Sequence, residues 1–425
     1  MPPMHRAWLV LAIGLLCVPR AAWPQQGNPV GPEFRINTYT TNIQNEPAVT
    51  ADASGNFVVV WDSANQDGSL LGVFGQRFGS SGAPLGPEFR VNTSTTDLQE
   101  APSVATDSGG NFVVAWTSRG GYGGTPADVF GQRYASSGAA LGPEFRINTF
   151  STSAQAQPAV AAGPAGDFVV VWSSADQDGS NLGVFGQRFA SSGVPVGPEF
   201  QVNTYTTSLQ YAPSVAADSA GNFVVAWTSS GGYGGTPADI FGQRYASSGA
   251  PLGPEFRINT YTTSAQSRAA VAADASGNFV VVWDSAGQDG SSSGIFGQRF
   301  ASSGAPVGPE FRVNTSTADL QFAPSVAADS AGNFVVAWTS SGGYGGMPAD
   351  VFGQRFSSVG APLGPEFRIN TYTTSGQHRT AVAADPAGNF VVTWDSYGQD
   401  GAGFGVFGQR YAPILPVELM HFRVE

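Results

Sequence analysis

The sequence contains no lysine, so all nineteen of its basic residues are arginine. Charged residues are only 12% of the 425, and the balance is acidic, with a net charge of −12. Nucleic-acid binding depends on a concentrated basic surface, so no nucleic-acid partner is expected. Cysteine is nearly missing as well. The one present, Cys17, lies near the N-terminus, which leaves the rest of the chain without a disulfide or a thiol nucleophile. Stability must then come from packing and strand pairing. Histidine is scarce, with only His378 and His421 beyond the N-terminal stretch, which leaves little for general-base chemistry. Past residue 18 no apolar run is long enough to cross a bilayer.

The N-terminal stretch has the form of a secretory signal. His5 and Arg6 precede an apolar run over 7–18, followed by Pro19 and the small residues Ala21 and Ala22. Residues 1–24 are therefore expected to be a signal peptide, and the protein to be secreted, periplasmic or held at the cell surface. Leu16 stands where a lipidation motif wants a small residue before Cys17. Glycine (56) and proline (29) are abundant, a bias that elsewhere accompanies disorder. Here Phe, Val and Trp recur at fixed positions, which gives every segment apolar surface to bury.

That recurrence is the dominant signal. Glu33, Glu88, Glu144, Glu199, Glu255, Glu310 and Glu366 each open the phrase Glu-Phe-(Arg/Gln)-(Ile/Val)-Asn-Thr at spacings that alternate between 55 and 56. Trp61, Trp116, Trp172, Trp227, Trp283, Trp338 and Trp394 keep the same beat. A period of this size built from β-formers means a propeller, solenoid or array. Each period carries four strand signals, A to D, which in the second repeat fall at 103–105, 112–116, 129–134 and 144–148. Asp107 to Asn111 form a tight turn that makes A and B a hairpin. Strand B is apolar on both faces, and strand D alternates like an outer edge. Strand A carries the smallest side chains, such as Ala159 to Ala162. Small residues inside and Phe and Trp outside suit the taper of a propeller, which a linear solenoid lacks. The expected fold is an all-β, seven-bladed propeller of four-stranded antiparallel blades over residues 31–411, with 412–425 as a C-terminal tail. Its ring is expected to close by strand exchange. A complete D phrase at 31–38 precedes any A strand, and the chain's last C strand has no Gly-Pro-Glu-Phe after it; residues 421–425 are the competitor for that place.

The phrases Gly-Asn-Phe-Val-Val-Val-Trp (55–61) and Val-Phe-Gly-Gln-Arg-Phe (73–78), with Gln44 and Pro47 before strand A, resemble a β repeat of roughly this length found in large secreted bacterial surface proteins. The resemblance covers all seven periods and implies an extracellular propeller-like module, with little said about activity. The Asp-x-x-Gly turn ahead of the Trp also looks like the Asp-box hairpin of sialidase-type propellers, where the box is structural.

A ring of copied blades gains a specific site by departing from its template. The departures cluster one and two places after a repeated glutamine. They give Glu46, Glu100, Gln157, Tyr211, Arg268, Phe322, His378 and Arg379, residues that precede strand A and so should rim one mouth of the channel. Arginines beside aromatic rings suit a carbohydrate or an anion. The B-to-C loops alternate between Gln-Asp-Gly and Gly-Gly-Tyr-Gly-Gly, which marks a pair of blades as the copied unit. Asp176 and Asp178 of one Gln-Asp-Gly loop are a calcium candidate, with a plain turn as the simpler reading; no other cofactor is expected. Tyr122, Tyr233 and Tyr344 either stack on a sugar or cover their own loops. No catalytic constellation stands out, because the hairpin aspartates recur in nearly every repeat and so read as structural. The expected function is extracellular recognition or adhesion by a monomer; the alternatives are a glycoside hydrolase or lyase, and a structural spacer.

Overall fold

The computed structural model describes residues 29–413, apart from 97, 121–125, 232–236, 291, 318–319 and 342–347. The leader, Cys17, the three loop tyrosines Tyr122, Tyr233 and Tyr344, and residues 421–425 lie outside the described residues. Those described form 28 β-strands and no helix.

The repeat folds into one four-stranded antiparallel blade. In the second repeat Leu98–Thr106 pairs with Phe112–Arg119, which pairs with Asp128–Tyr134, which pairs with Phe145–Arg146. Strand A is longer than expected and contains a bulge. Gln99 faces Ser118 and Glu100 faces Thr117, but the next partners are Ser103 and Ala115. The skipped stretch holds Pro102, which has no N–H to give the ladder, and a bulge is where a strand can accept it. Strand D is shorter than expected. Beyond Arg146 the side chain of Asn148 takes over, its Oδ1 accepting the Val129 N–H at 2.7 Å.

The tryptophan row is the packing core. All seven of the repeated tryptophans are fully buried, each in a cluster drawn from two adjacent blades. One cluster joins Val113, Ala115 and Ile147 to Val170, Trp172 and Phe185 of the following blade. At every repeated tryptophan but Trp61 the repeated glutamine holds the indole, with Trp227 Nε1 donating to Gln210 Oε1 at 3.0 Å. The hairpin aspartates are structural, as the repeats imply. Asp52 Oδ1 accepts the N–H of Ser54 (2.8 Å) and of Asn56 (2.9 Å), and Oδ2 accepts Asn56 Nδ2 (2.8 Å). Where Gly163 replaces the aspartate, Asp167 replaces the asparagine, and a Cβ on residue 163 would lie 2.8 Å from its carboxylate.

The A-to-B hairpins of every blade meet around a single cavity of about 290 Å³, from Asp52 and Asp107 round to Asp329 and Pro386. Antiparallel sheets radiating from one axis make a β-propeller. Its two ends are joined by the N-terminal strand. Phe34 pairs with Gly408 and Arg35 with Phe407, the Ile36 N–H reaches Val406 O at 2.8 Å, and Asn37 Oδ1 accepts the Val406 N–H at 2.7 Å. Ile36 is buried with Trp61, Ala383 and Val406. The outer place beside Phe404–Tyr411 is thus taken by the N-terminal segment. Blades are also coupled in twos, by single parallel bridges such as Leu71 to Leu98.

Candidate functional site

The eight candidate residues lie within strand A rather than before it, because the bulge places them there. Glu46, Gln157, Arg268 and Arg379 occupy the bulge with φ between 51 and 56°, as do Ala101, Ala212 and Ala323. Glu100, Tyr211, Phe322 and His378 sit one place earlier, opposite Thr117, Thr228, Thr339 and Asp395 of strand B. This is the end of strand A that adjoins the B-to-C loops, since Ala64 N–H donates to Ile43 O just before that loop.

The bulge has a structural consequence between blades. Its N–H reaches the residue that follows the tryptophan of the preceding blade. Ala101 N donates to Asp62 Oδ2 at 3.3 Å, Gln157 N to Thr117 Oγ1 at 3.1 Å, and Ala212 N to Ser173 Oγ at 3.1 Å. The same bond runs from Ala323 to Asp284 and, across the closing seam, from Glu46 to Asp395. Side chains add to it. Arg379 pairs with Asp395 at 3.1 Å and with Glu46 at 3.8 Å, so it spans the seam. Arg268 pairs with Asp284 at 3.1 Å and lies 5.7 Å from the Phe322 ring centre. Glu100 pairs with Arg119, and Gln157 Oε1 accepts from Ser173 Oγ at 3.2 Å. His378 meets Phe404 edge-on at 6.0 Å.

The sequence reading missed the three buried aspartates that follow a tryptophan: Asp62, Asp284 and Asp395. In each, Oδ1 is buried without a hydrogen-bond partner among the described residues. Burial raises all three carboxyls. Asp62 is held well above the usual carboxylate range by desolvation and then by Glu46. Asp284 is pushed up to about 6 and Asp395 to about 7 by desolvation, against the pull of Arg268 and Arg379 respectively. Burial, with Arg379 nearby, lowers His378. The missed signal was an acidic residue next to a core tryptophan in a chain with few acids.

The Gln-Asp-Gly loops are occupied by their own bonds. Asp178 Oδ1 accepts the Ser180 N–H at 3.0 Å, and Oδ2 accepts Asn203 Nδ2 at 3.1 Å. Asp176 Oδ2 accepts from Ser153 Oγ at 3.1 Å. Asp176 has φ 61°, and its counterparts Asn65, Gly287 and Gly398 are also left-handed, at 60, 69 and 73°. The choice of Asn, Asp or Gly there follows from backbone conformation. Among the described residues no group of three or more His, Cys, Asp or Glu is gathered as a metal would need.

No family model matches the chain, and no curated protein matches it. Among solved structures, a protein of unknown function from Dyadobacter fermentans DSM 18053 aligns with a TM-score of 0.52 at 10% identity, over 74% of this chain and 94% of that one. An α-L-arabinanase of Penicillium chrysogenum, complexed with arabinobiose, has a TM-score of 0.49 at 14% identity, over 73% and 92%. A leech intramolecular trans-sialidase has a TM-score of 0.49 at 10% identity, over 90% and 70%. The first likeness is one of fold alone, and no function is drawn from the others.

Proposed function

We propose that this chain is an exported, monomeric seven-bladed propeller that binds a neutral carbohydrate, without cleaving it, on the rim formed by the inner-strand bulges. The count of seven rests on grouping. Three sheets each hold two antiparallel quartets joined by one parallel bridge, and the fourth holds one quartet. The signal-like N-terminus supports export. No helix among the described residues is long and apolar enough to cross a membrane.

The observation that carries the ligand reading is that every rim arginine already faces a carboxylate. Arg379 has Asp395 and Glu46, Arg268 has Asp284, and Arg119 has Glu100. An anion would have to displace those partners. A neutral polyol gives hydroxyl donors to Glu46 and Glu100, accepts from the remaining guanidinium N–H groups, and can lay a ring face on Tyr211 or Phe322. The broader expectation of a carbohydrate or anion is thereby narrowed to the neutral class.

A second reading, sugar cleavage, is favoured by Asp62. It is a buried carboxyl raised well above its usual range by desolvation and then by Glu46, as a general acid requires. A glycan array of neutral, sialylated and sulfated sugars, followed by titration and assay for released sugar, separates the readings. Binding of neutral glycans without turnover is expected, and Glu46→Ala with Glu100→Ala should weaken it by about tenfold or more. Released product would establish the second reading. Preference for anionic glycans, or no binding at all, would overturn the first.

A further inference from the structure

Six of the C strands end near an arginine that crosses to the next blade. Arg77 donates to Ser137 O and Arg133 to Ser192 O. Arg188 reaches Ser247 O at 2.7 Å, Arg299 reaches Ser358 O at 2.8 Å, and Arg410 crosses the seam to Ser80 O at 2.6 Å. Arg244 does the same with Ser303 O at 2.5 Å. Each accepting carbonyl belongs to a tight turn closed by a left-handed glycine, such as Gly82 at φ +84° and Gly360 at +82°. That glycine also makes room for the arginine, since a Cβ on Gly360 would lie 2.6 Å from Arg299 Nε.

The seventh blade breaks the pattern. Counting four residues past Tyr411, as from Phe78 to Gly82, leads to Leu415. Leucine disfavours the left-handed conformation that such a turn requires, and a side chain in place of the glycine would take the space the arginines use in the other blades. The corresponding arginine is Arg355, and it folds inward. It is only 2% exposed, its guanidinium carbon lies 4.4 Å from the centre of the Phe390 ring, and Nη2 donates to Ala412 O at 3.2 Å. Nε and Nη1 have no hydrogen-bond partner among the described residues. Burial lowers this guanidinium to about 10. Arg355 lines a groove of about 420 Å³ between the sixth and seventh blades, walled by Phe334, Leu363, Phe390 and Pro413. The matching groove between the fifth and sixth blades is about 340 Å³ and includes Ser358, the arginine's acceptor there.

We propose that this groove is the seat of the chain's own segment 414–425, with the Glu418 carboxylate on the Nε and Nη1 edge of Arg355. A buried guanidinium with two unbonded N–H groups calls for a carboxylate, whose two oxygens match that edge. Pro413, which immediately precedes the segment, already lines the groove. Five residues from it to Glu418 can span up to about 17 Å, enough to turn back along the wall. Ile414, Leu415, Val417, Leu419 and Met420 flank that acid with the apolar surface the phenylalanine walls demand.

The test uses the full chain. Glu418→Gln should lower the thermal midpoint by about 2–4 °C, as expected for losing a charged hydrogen bond in a domain of this size, and Glu425→Gln should not. In an Arg355→Met background Glu418→Gln should have no further effect. Hydrogen exchange in the unaltered protein should show the amides of 415–420 slowed at least tenfold relative to an unstructured chain, a readout that stands even if Arg355→Met fails to fold. A neutral Glu418→Gln, additive effects of the two substitutions, or free-chain exchange over 415–420 would each overturn the proposal. So would saturable binding of octanoate to the unaltered protein that Arg355→Met abolishes, since the groove would then be open to an external acid.

Discussion

Asp395 shows how much one side chain on the rim can reveal. It is fully buried, desolvation raises it to about 7, and Arg379 offsets only part of that. In the unfolded chain the same carboxyl has lost its proton by about pH 5. Between about pH 4 and 7 the folded state therefore holds the extra proton. Its contribution to stability is complete below pH 4 and is lost as pH rises through 7. Asp395→Asn removes that titration. Its midpoint relative to the unaltered protein should rise steadily from pH 4 to pH 8; parallel melting curves across that range would show that burial does not raise this carboxyl. The tryptophans and hairpin aspartates were legible because each recurs in register with the repeat. The aspartates after the tryptophans were not, because position in a strand does not reveal which polar side chain is buried against a neighbouring blade.

At the scale of elements, the B and C strands could be read from their apolar runs, and the strand exchange from an orphan D phrase at 31–38. The bulge in strand A could not be read, since it forms with positive φ at Glu46 and its counterparts whether the next residue is a proline, as Pro102 is, or not, as Ala269 and Thr380 are not. That single irregularity moved the candidate residues into the strand and aimed the N–H of each bulge residue at the preceding blade. The closing strand can be tested directly. Ile36 is 2% exposed, and a Cβ on Gly408 would lie 3.0 Å from its Cδ1, so the fit is tight. Ile36→Asp buries an unpaired charge and should cost about 3–5 kcal/mol by chemical denaturation. Arg35→Glu, on the exposed face of the same strand, should cost less than about 1 kcal/mol. Similar small losses for both would mean that the seam is not packed as described.

At the scale of the whole molecule, every blade is one continuous run of chain except the last, whose outer strand is supplied by the N-terminus. Glu33 Oε2 accepts the Thr371 N–H at 2.6 Å and its Oγ1 at 2.9 Å, and Glu33 Oε1 accepts Gln399 Nε2 at 2.5 Å. Glu199 makes the same three bonds, to Thr149 at 2.6 and 2.9 Å and to Gln177 at 2.5 Å. The first set ties the N-terminal strand to the C-terminal blades, and the second ties a strand that is continuous with its own blade. Glu33→Ala and Glu199→Ala remove equal local contacts, so global denaturation should shift by the same amount, about 1–3 kcal/mol, within about 0.5. They differ in what can open without global unfolding. At the seam the N-terminal strand can peel away and the ring can part, regaining the entropy of a closed loop. At the Glu199 junction the blades stay tethered and the ring stays shut. Two amides report on this. Ile36 N–H donates to Val406 O and Val202 N–H to Val184 O, both at 2.8 Å in equivalent places. Glu33→Ala should accelerate exchange at Ile36 by about tenfold or more, while Glu199→Ala should leave Val202 close to its original rate. Equal acceleration at both amides would mean that each blade opens independently and that closure by the N-terminal strand adds nothing to the cohesion of the ring.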